Sequence, residues 1–266
     1  MGVELFYFSG TGNSIHIARE LQRRIPNTIL KPIISALNKE HLKSVSGTVG
    51  FIFPIHAHTY AWVVEKFLRK IDLQSASYVF AISNRECADK VFLDMNKILK
   101  KKKFTLNASF MVNTPENFVP VFKVPTKEEI IELESKMLEK LDKIQQLIIN
   151  RIPFHEKTEP IVNVFANTLL RLSNFIFTRT RYLNLQKSFI ADDKCTGCGI
   201  CEKICLSEQI KIIDKKPTWD LSIPCTYCFA CISYCPTQAI QAWRTKKKGR
   251  YHHPLIKAKD IAEQNI

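Results

Sequence analysis

Nothing in this 266-residue sequence approaches the roughly 18 uninterrupted apolar residues of a membrane-spanning helix, which excludes a helical membrane span. The stretch Met1-Gly2-Val3-Glu4-Leu5-Phe6 lacks the basic segment and small-residue cleavage site of a secretory signal. Phe6 also stands where a myristoylation motif requires Ser or Thr, so a cytoplasmic protein is expected. Cysteine is almost absent from the first 194 residues, where Cys87 is the single example, and the other eight cysteines all lie within residues 195–235. That crowding into Cys-x-x-Cys pairs argues against a disulfide framework and for metal binding. Acidic residues are outnumbered, and the net charge is +14, with +6 on residues 1–150 and +8 on residues 151–266. The lysine runs Lys100–Lys103 and Arg244–Arg250 have no interleaved aromatics and no nucleic-acid-binding motif, and they read as solvated surface. A nucleic-acid partner is therefore not expected. The excess charge is better matched by acidic surfaces on protein partners or by anionic cofactors.

What is present begins with alternation. Apolar runs at residues 3–8, 29–34, 49–53, 78–82 and 104–112 read as strands. Helical patterns at 61–71, 90–101 and 127–149 lie between and after them, the last carrying opposite charges at helical spacing, such as Glu132–Lys136 and Glu139–Lys143. Strands alternating with helices predict an α/β fold with a doubly wound parallel sheet of five strands. Five strands within this length suit a flavodoxin-like sheet better than a (β/α)₈ barrel, which needs about 250 residues. Residues 1–150 are expected to form this domain, 151–187 a helical connector with an apolar stretch at 161–177, 188–243 a small cysteine-rich α+β domain, and 244–266 a basic tail.

The cysteine-rich part is a duplication. Cys195, Cys198, Cys201 and Cys205 recur 30 residues later as Cys225, Cys228, Cys231 and Cys235. Each set is Cys-x₂-Cys-x₂-Cys-x₃-Cys. Three thiolates on one tight loop reach three irons of a cubane, while the fourth is carried away to the other cluster. The spacing therefore predicts one [4Fe–4S] cluster on Cys195, Cys198, Cys201 and Cys235, and a second on Cys225, Cys228, Cys231 and Cys205. Zinc sites usually separate their cysteine pairs by longer spacers. The segment resembles the bacterial two-cluster ferredoxins. Pro236 follows Cys235 as in that family, whereas Leu206 follows Cys205 where proline is usual.

At the other end, Ser9-Gly10-Thr11-Gly12-Asn13-Ser14 separates the first strand from a helix. Two glycines that let the backbone curl, three hydroxyls and a helix N-terminus together read as an anion cradle. It is followed by no Gly-Lys-Ser/Thr and contains no G-x-G-x-x-G, which argues against a nucleoside triphosphate or a dinucleotide. Tyr7–Ser14 looks like the FMN-phosphate loop of flavodoxins. That resemblance implies FMN as cofactor and two loops beside its ring, one at Pro54-Ile55-His56 and one at Ser83-Asn84-Arg85-Glu86-Cys87. Residues 54–62 and 83–89 contain no glycine, and His56 stands where those loops carry a stacking aromatic. His56 reads either as a ring partner or as a solvated loop histidine, Tyr60 and Trp62 as core or rim, and Cys87 as a small buried residue.

Both halves together, with the tail Gly249-Arg250-Tyr251-His252-His253-Pro254, resemble a family of flavodoxin–ferredoxin fusions. The resemblance implies an electron-transfer protein relaying electrons between FMN and two [4Fe–4S] clusters, to or from redox partner proteins with acidic docking surfaces. Two other readings are compatible with the sequence. One is a flavin-dependent reductase of a small substrate with His56 or His58 as proton donor, and the other a ferredoxin carrier whose first domain only docks partners.

Overall fold

The structure is a computed structural model describing residues 2–56, 59–84, 89–157, 182–246 and 248–266. Its larger half is a six-stranded, all-parallel sheet built from β1 (Val3–Tyr7), β2 (Thr28–Pro32), β3 (Thr48–Phe53), β4 (Tyr78–Ser83), β5 (Ala108–Met111) and β6 (Phe154–His155). The strands lie in the order β2-β1-β3-β4-β5-β6. Its first five positions are the flavodoxin-like order, whose direction reverses between β1 and β3. Every residue of β1, β3 and β4 is buried, as expected for central strands covered by helices on both faces. The apolar residues of those strands are therefore continuous rather than alternating. The charged exception is Glu4 in β1, whose carboxylate accepts from Lys31 and Ser44 and from the Val45 amide at 3.0 Å.

Helices α1 (Asn13–Arg24), α2 (Ile33–Leu37), α3 (Trp62–Lys70), α4 (Asp89–Lys100) and α5 (Lys127–Ile149) complete this half. α5 opens with a reciprocal cap: Glu129 N–H donates to Thr126 Oγ1 at 3.2 Å, and Thr126 N–H to Glu129 Oε2 at 2.7 Å. It buries Met137, Leu141, Ile144 and Ile148 along one face.

Three expectations need correction. The sheet has a sixth strand, the two-residue β6, paired with Ala108 and Ser109 and too short to be read from hydrophobic pattern. The second apolar run overshoots, because the chain turns into α2 immediately after Pro32. The fifth starts too early: at residues 104–107, side chains take the place of a strand neighbour. Asn96 Oδ1 accepts the Leu106 amide at 2.7 Å, and Asn107 Oδ1 accepts that of Val79 at 2.8 Å.

The cysteine-rich half carries the short antiparallel pair β7 (Ile190–Ala191) with β10 (Ile240–Gln241), and the hairpin β8 (Ile210–Ile213) with β9 (Lys216–Trp219). Two one-turn helices, α6 (Ile200–Lys203) and α7 (Ala230–Ser233), sit 30 residues apart. Helix α8 (Ala258–Ala262) follows in the C-terminal segment. The duplication extends to the backbone. Gly197, Gly199 and Glu208 have φ of 69°, 75° and 55°, and Tyr227, Phe229 and Gln238, each 30 positions later, have 53°, 58° and 53°. Left-handed conformations come readily to glycine and at a cost to aromatic residues. Tyr227 and Phe229 offset it by burying their rings, which are 4% and 7% exposed.

The halves share a core. Ile204, Leu206, Ala230, Tyr234, Ile256 and Ile261 belong to the same buried cluster as the sheet residues. A second core forms around Phe189, Ile210, Tyr227, Phe229, Ile232 and Ile240, together with Cys201 and Cys205. Residues 161–177 lie outside the described residues. Among the described residues, no helix is long and apolar enough to cross a membrane.

Candidate functional site: the paired cysteine loops and the β1–α1 loop

The eight repeat cysteines are free thiols. Burial pushes the Cys201 thiol up to about 11, and its charge neighbours are Cys198, Cys235 and Cys195. Cys231 is also pushed well up by burial, and the charges of Cys228, Cys225, Cys205 and Cys201 act in the same direction. Cys195, Cys198, Cys201 and Cys235 line one cavity together with Ile212 and Ile240. Among the described residues, no three cysteine sulfurs come within 4.8 Å of one another. A tetrahedral zinc site, with Zn–S near 2.3 Å, would hold them about 3.8 Å apart. The donor set is all thiol, the ligand chemistry that an iron–sulfur cluster takes.

Polar groups lie beside several sulfurs. The Tyr227 amide donates to Cys225 Sγ at 3.3 Å. Ser207 Oγ lies 3.7 Å from Cys205 Sγ and Thr237 Oγ1 3.8 Å from Cys235 Sγ, each two residues past the fourth cysteine of its repeat. Hydrogen bonds to sulfur are one of the ways a protein sets a cluster's potential.

The two sets differ in their surroundings. Cys198 is exposed, whereas Cys225, Cys228 and Cys231 are half-buried, and Cys228 packs on the core of the sheet half. The Cys225 carbonyl accepts from Trp62 Nε1 at 3.0 Å. The Cys228 carbonyl lies against Gly10, close enough that a Cβ added there would sit 2.0 Å from the oxygen.

The β1–α1 loop, Ser9–Ser14, lies at the strand-order reversal where this class of fold holds FMN in other proteins. In this chain the loop is covered. Ser9, Thr11, Asn13 and Ser14 are between 1% and 5% exposed. Its partners come from four directions. Ser9 N–H donates to Gln264 Oε1 at 3.0 Å, and Gln264 Nε2 donates back to the Ser9 carbonyl at 2.8 Å. Thr11 Oγ1 accepts from Asn117 Nδ2 at 2.6 Å, and its carbonyl from the His253 amide at 2.8 Å. Asn13 Oδ1 accepts from the Tyr251 hydroxyl at 2.7 Å, while its Nδ2 donates to Thr114 Oγ1 and the Pro115 carbonyl. Ser14 Oγ accepts from Asn84 Nδ2 at 2.8 Å. Gly12, at φ 102°, turns the chain into α1 beneath His253 and Ile256.

Of the two loops expected beside a flavin ring, the structure describes part. Ser83 and Asn84 end β4 and are buried, and Asn84 does meet Ser14. Pro54 is half-buried. His56 is half-buried. Burial lowers its pKa to about 4, and its ring lies 6.1 Å from Phe8, edge to face. Tyr60 is buried and Trp62 is at the rim. His58, Arg85, Glu86 and Cys87 lie outside the described residues.

Sequence reasoning missed one cluster. His16 on α1 and His253 in the tail stack with ring centroids 3.9 Å apart, and both present Nε2 to Glu134 of α5, at 2.6 and 3.4 Å. Burial opposes ionisation of Glu134, but hydrogen bonds from the two histidines outweigh it and bring its pKa to about 2. The three ligand atoms lie within 4.8 Å, as a metal ion would require. However, the Leu255 amide donates to Nδ1 of His253 at 3.3 Å, which leaves the proton on Nε2, facing Glu134. The cluster is a hydrogen-bonded clasp. Its only sequence signal was His252-His253 in the tail motif.

No family model and no curated protein matches the sequence. Among solved structures, the rubredoxin oxygen:oxidoreductase of the anaerobe Desulfovibrio gigas overlays 55% of this chain and 37% of its own length, with 16% identity and a TM-score of 0.29. A Trp repressor binding protein from Bacillus subtilis overlays 53% of this chain and 98% of its own, with 10% identity and a TM-score of 0.32.

Proposed function

We propose that the protein is an iron–sulfur electron carrier, with one [4Fe–4S] cluster held by Cys195, Cys198, Cys201 and Cys235 and a second by Cys225, Cys228, Cys231 and Cys205. Such clusters exchange one electron at a time and offer no acid, base or nucleophile. The observation that carries this reading is the cavity lined by Cys195, Cys198 and Cys201 of the first repeat together with Cys235 of the second. The chain's own part is insulation and tuning. Phe189, Tyr227, Phe229, Ile210 and Ile240 exclude water around the sulfurs, and the Tyr227 amide and the Ser207 and Thr237 hydroxyls bear on them. Redox partners with acidic surfaces fit the net charge of +14.

A relay through FMN, which the resemblance implies, needs an open Ser9–Ser14 loop. The loop's contacts within the chain leave the flavin out of this reading, as they do a flavin-dependent reductase.

Protein purified without oxygen should contain about eight irons and eight sulfides and absorb broadly in the visible. Zinc at about two per chain, with no such absorbance, would overturn the reading. Cys205→Ala should remove the cluster of the second motif and spare that of the first, as seen in iron content and in the electron paramagnetic resonance of the reduced protein.

A further inference from the structure

The β1–α1 loop has the composition of a phosphate cradle and the surroundings of a core. We infer that Ser9–Ser14 is a socket for the chain's own second cysteine loop and C-terminal segment, and that the protein does not hold FMN there. The cluster half of this inference rests on the function proposed above, whereas the flavin half does not.

Space is the first argument. A single methyl on Gly10 would lie 2.0 Å from the Cys228 carbonyl oxygen, and one on Gly12 would lie 2.9 Å from the Cβ atoms of both His253 and Ile256. A phosphoryl group is several times larger than a methyl, so it could enter only by displacing the cysteine loop and the tail together. In a flavin site these two glycines allow the backbone to approach a ligand. Here they allow it to approach its own chain.

Hydrogen bonding is the second. The hydroxyls of Ser9, Thr11 and Ser14 each already accept a bond, from the Gly12 amide at 3.2 Å, from Asn117 and from Asn84 respectively. The Ser9 peptide is held on both sides by Gln264, a fully buried side chain that makes with it the two-way pairing a strand neighbour would make. An anion would have to replace these contacts and leave Gln264 and Asn13 buried without partners, which costs more than an exposed bond is worth.

Charge is the third. The loop and the first turn of α1 contain no lysine or arginine. Arg19, one turn further along, is paired with Asp260 of α8 at 2.6 Å. The carboxylate that faces α1 from α5, Glu134, is held ionised by the clasp with His16 and His253. Among the described residues, a dianion entering here would meet the Glu134 carboxylate, and Arg19 is already paired. The clasp itself ties the tail residue that covers Gly12 to two helices of the sheet half, α1 and α5.

Two measurements decide the matter. Wild-type protein isolated anaerobically from riboflavin-fed cells, and again after incubation with excess FMN and desalting, is assayed for heat-released flavin and for iron. About eight irons with no flavin is expected. Stoichiometric FMN alongside eight irons overturns the socket while leaving the electron-carrier reading intact, and protein lacking iron overturns that reading instead. Gly10→Ala then locates what the loop contacts. In a socket the added methyl strikes Cys228, so iron should fall by half, to about four, with the signal of the first-motif cluster retained. If Gly10→Ala keeps all eight irons, the contact with Cys228 is not what the loop is for and the proposal fails. Should that variant not fold, Gln264→Ala tests the same seat more gently. It should leave iron unchanged and speed proteolytic removal of residues 250–266, and an unchanged cleavage rate overturns the socket.

Discussion

Glu134 is a carboxylate whose charge holds two elements together. Its pKa of about 2 lies below the ordinary 4.5, so its contribution is fully present above pH 4.5 and is lost as the pH falls from there towards 2. With nearly a third of the side chain open to water, that contribution is on the order of 2 kcal/mol. Glu134→Gln should accelerate amide exchange across residues 251–256 about thirtyfold at pH 7, and the difference from wild type should start to shrink below about pH 4.5. The same residue shows how the sequence was readable in one part and silent in another. Cys195 to Cys235 declare their chemistry by spacing, because cluster geometry permits few arrangements. Glu134 sits in a helix rich in Glu and Lys, and nothing in its neighbours distinguishes it from Glu132, which pairs with Lys136 at the surface. Ser9–Ser14 was readable as a shape, a glycine-bearing turn from strand to helix. Its occupant was not, since Gln264 and Asn117 carry no motif.

At the level of elements, α5 was legible from end to end because cap, charge pairs and apolar face agree over 23 residues. Thr126 and Glu129 satisfy one another's amides at its start. Thr126→Ala should cost about 1 kcal/mol and lower the main thermal transition by roughly 2–4 °C, read by circular dichroism in the holoprotein. Strands were legible where they are central. β1, β3 and β4 are buried on both faces and so read as uninterrupted apolar runs, whereas β6, two residues at an edge, has no period to detect. The turns of the second repeat were illegible for a different reason. Tyr227 and Phe229 occupy the left-handed backbone that Gly197 and Gly199 advertise in the first, and tertiary burial overrides local preference there.

Across the whole molecule, the two cysteine sets have unequal access to solvent. Cys198 is exposed, while the second motif lies against Gly10 and beneath Trp62. A water-soluble iron chelator added to the oxidised holoprotein should therefore withdraw iron in two phases, about four atoms quickly and about four slowly. Cys198→Ser should abolish the fast phase, and a single phase of eight would show equal access. The contact between halves also constrains the order of events during synthesis. Ser9 emerges early, and β1 can pair with β3 as soon as residue 53 has followed, but its amide waits for Gln264, 255 positions downstream. At 5–20 residues per second that interval is roughly 10–50 s. Throughout it the Ser9 peptide lacks its partner, although Asn84 and Asn117, made long before, can already reach the hydroxyls of Ser14 and Thr11. The half made first is thus the half completed last, and a nascent chain interrupted before residue 250 would leave Ser9 and Gly12 without the cover that the tail gives them in the finished protein.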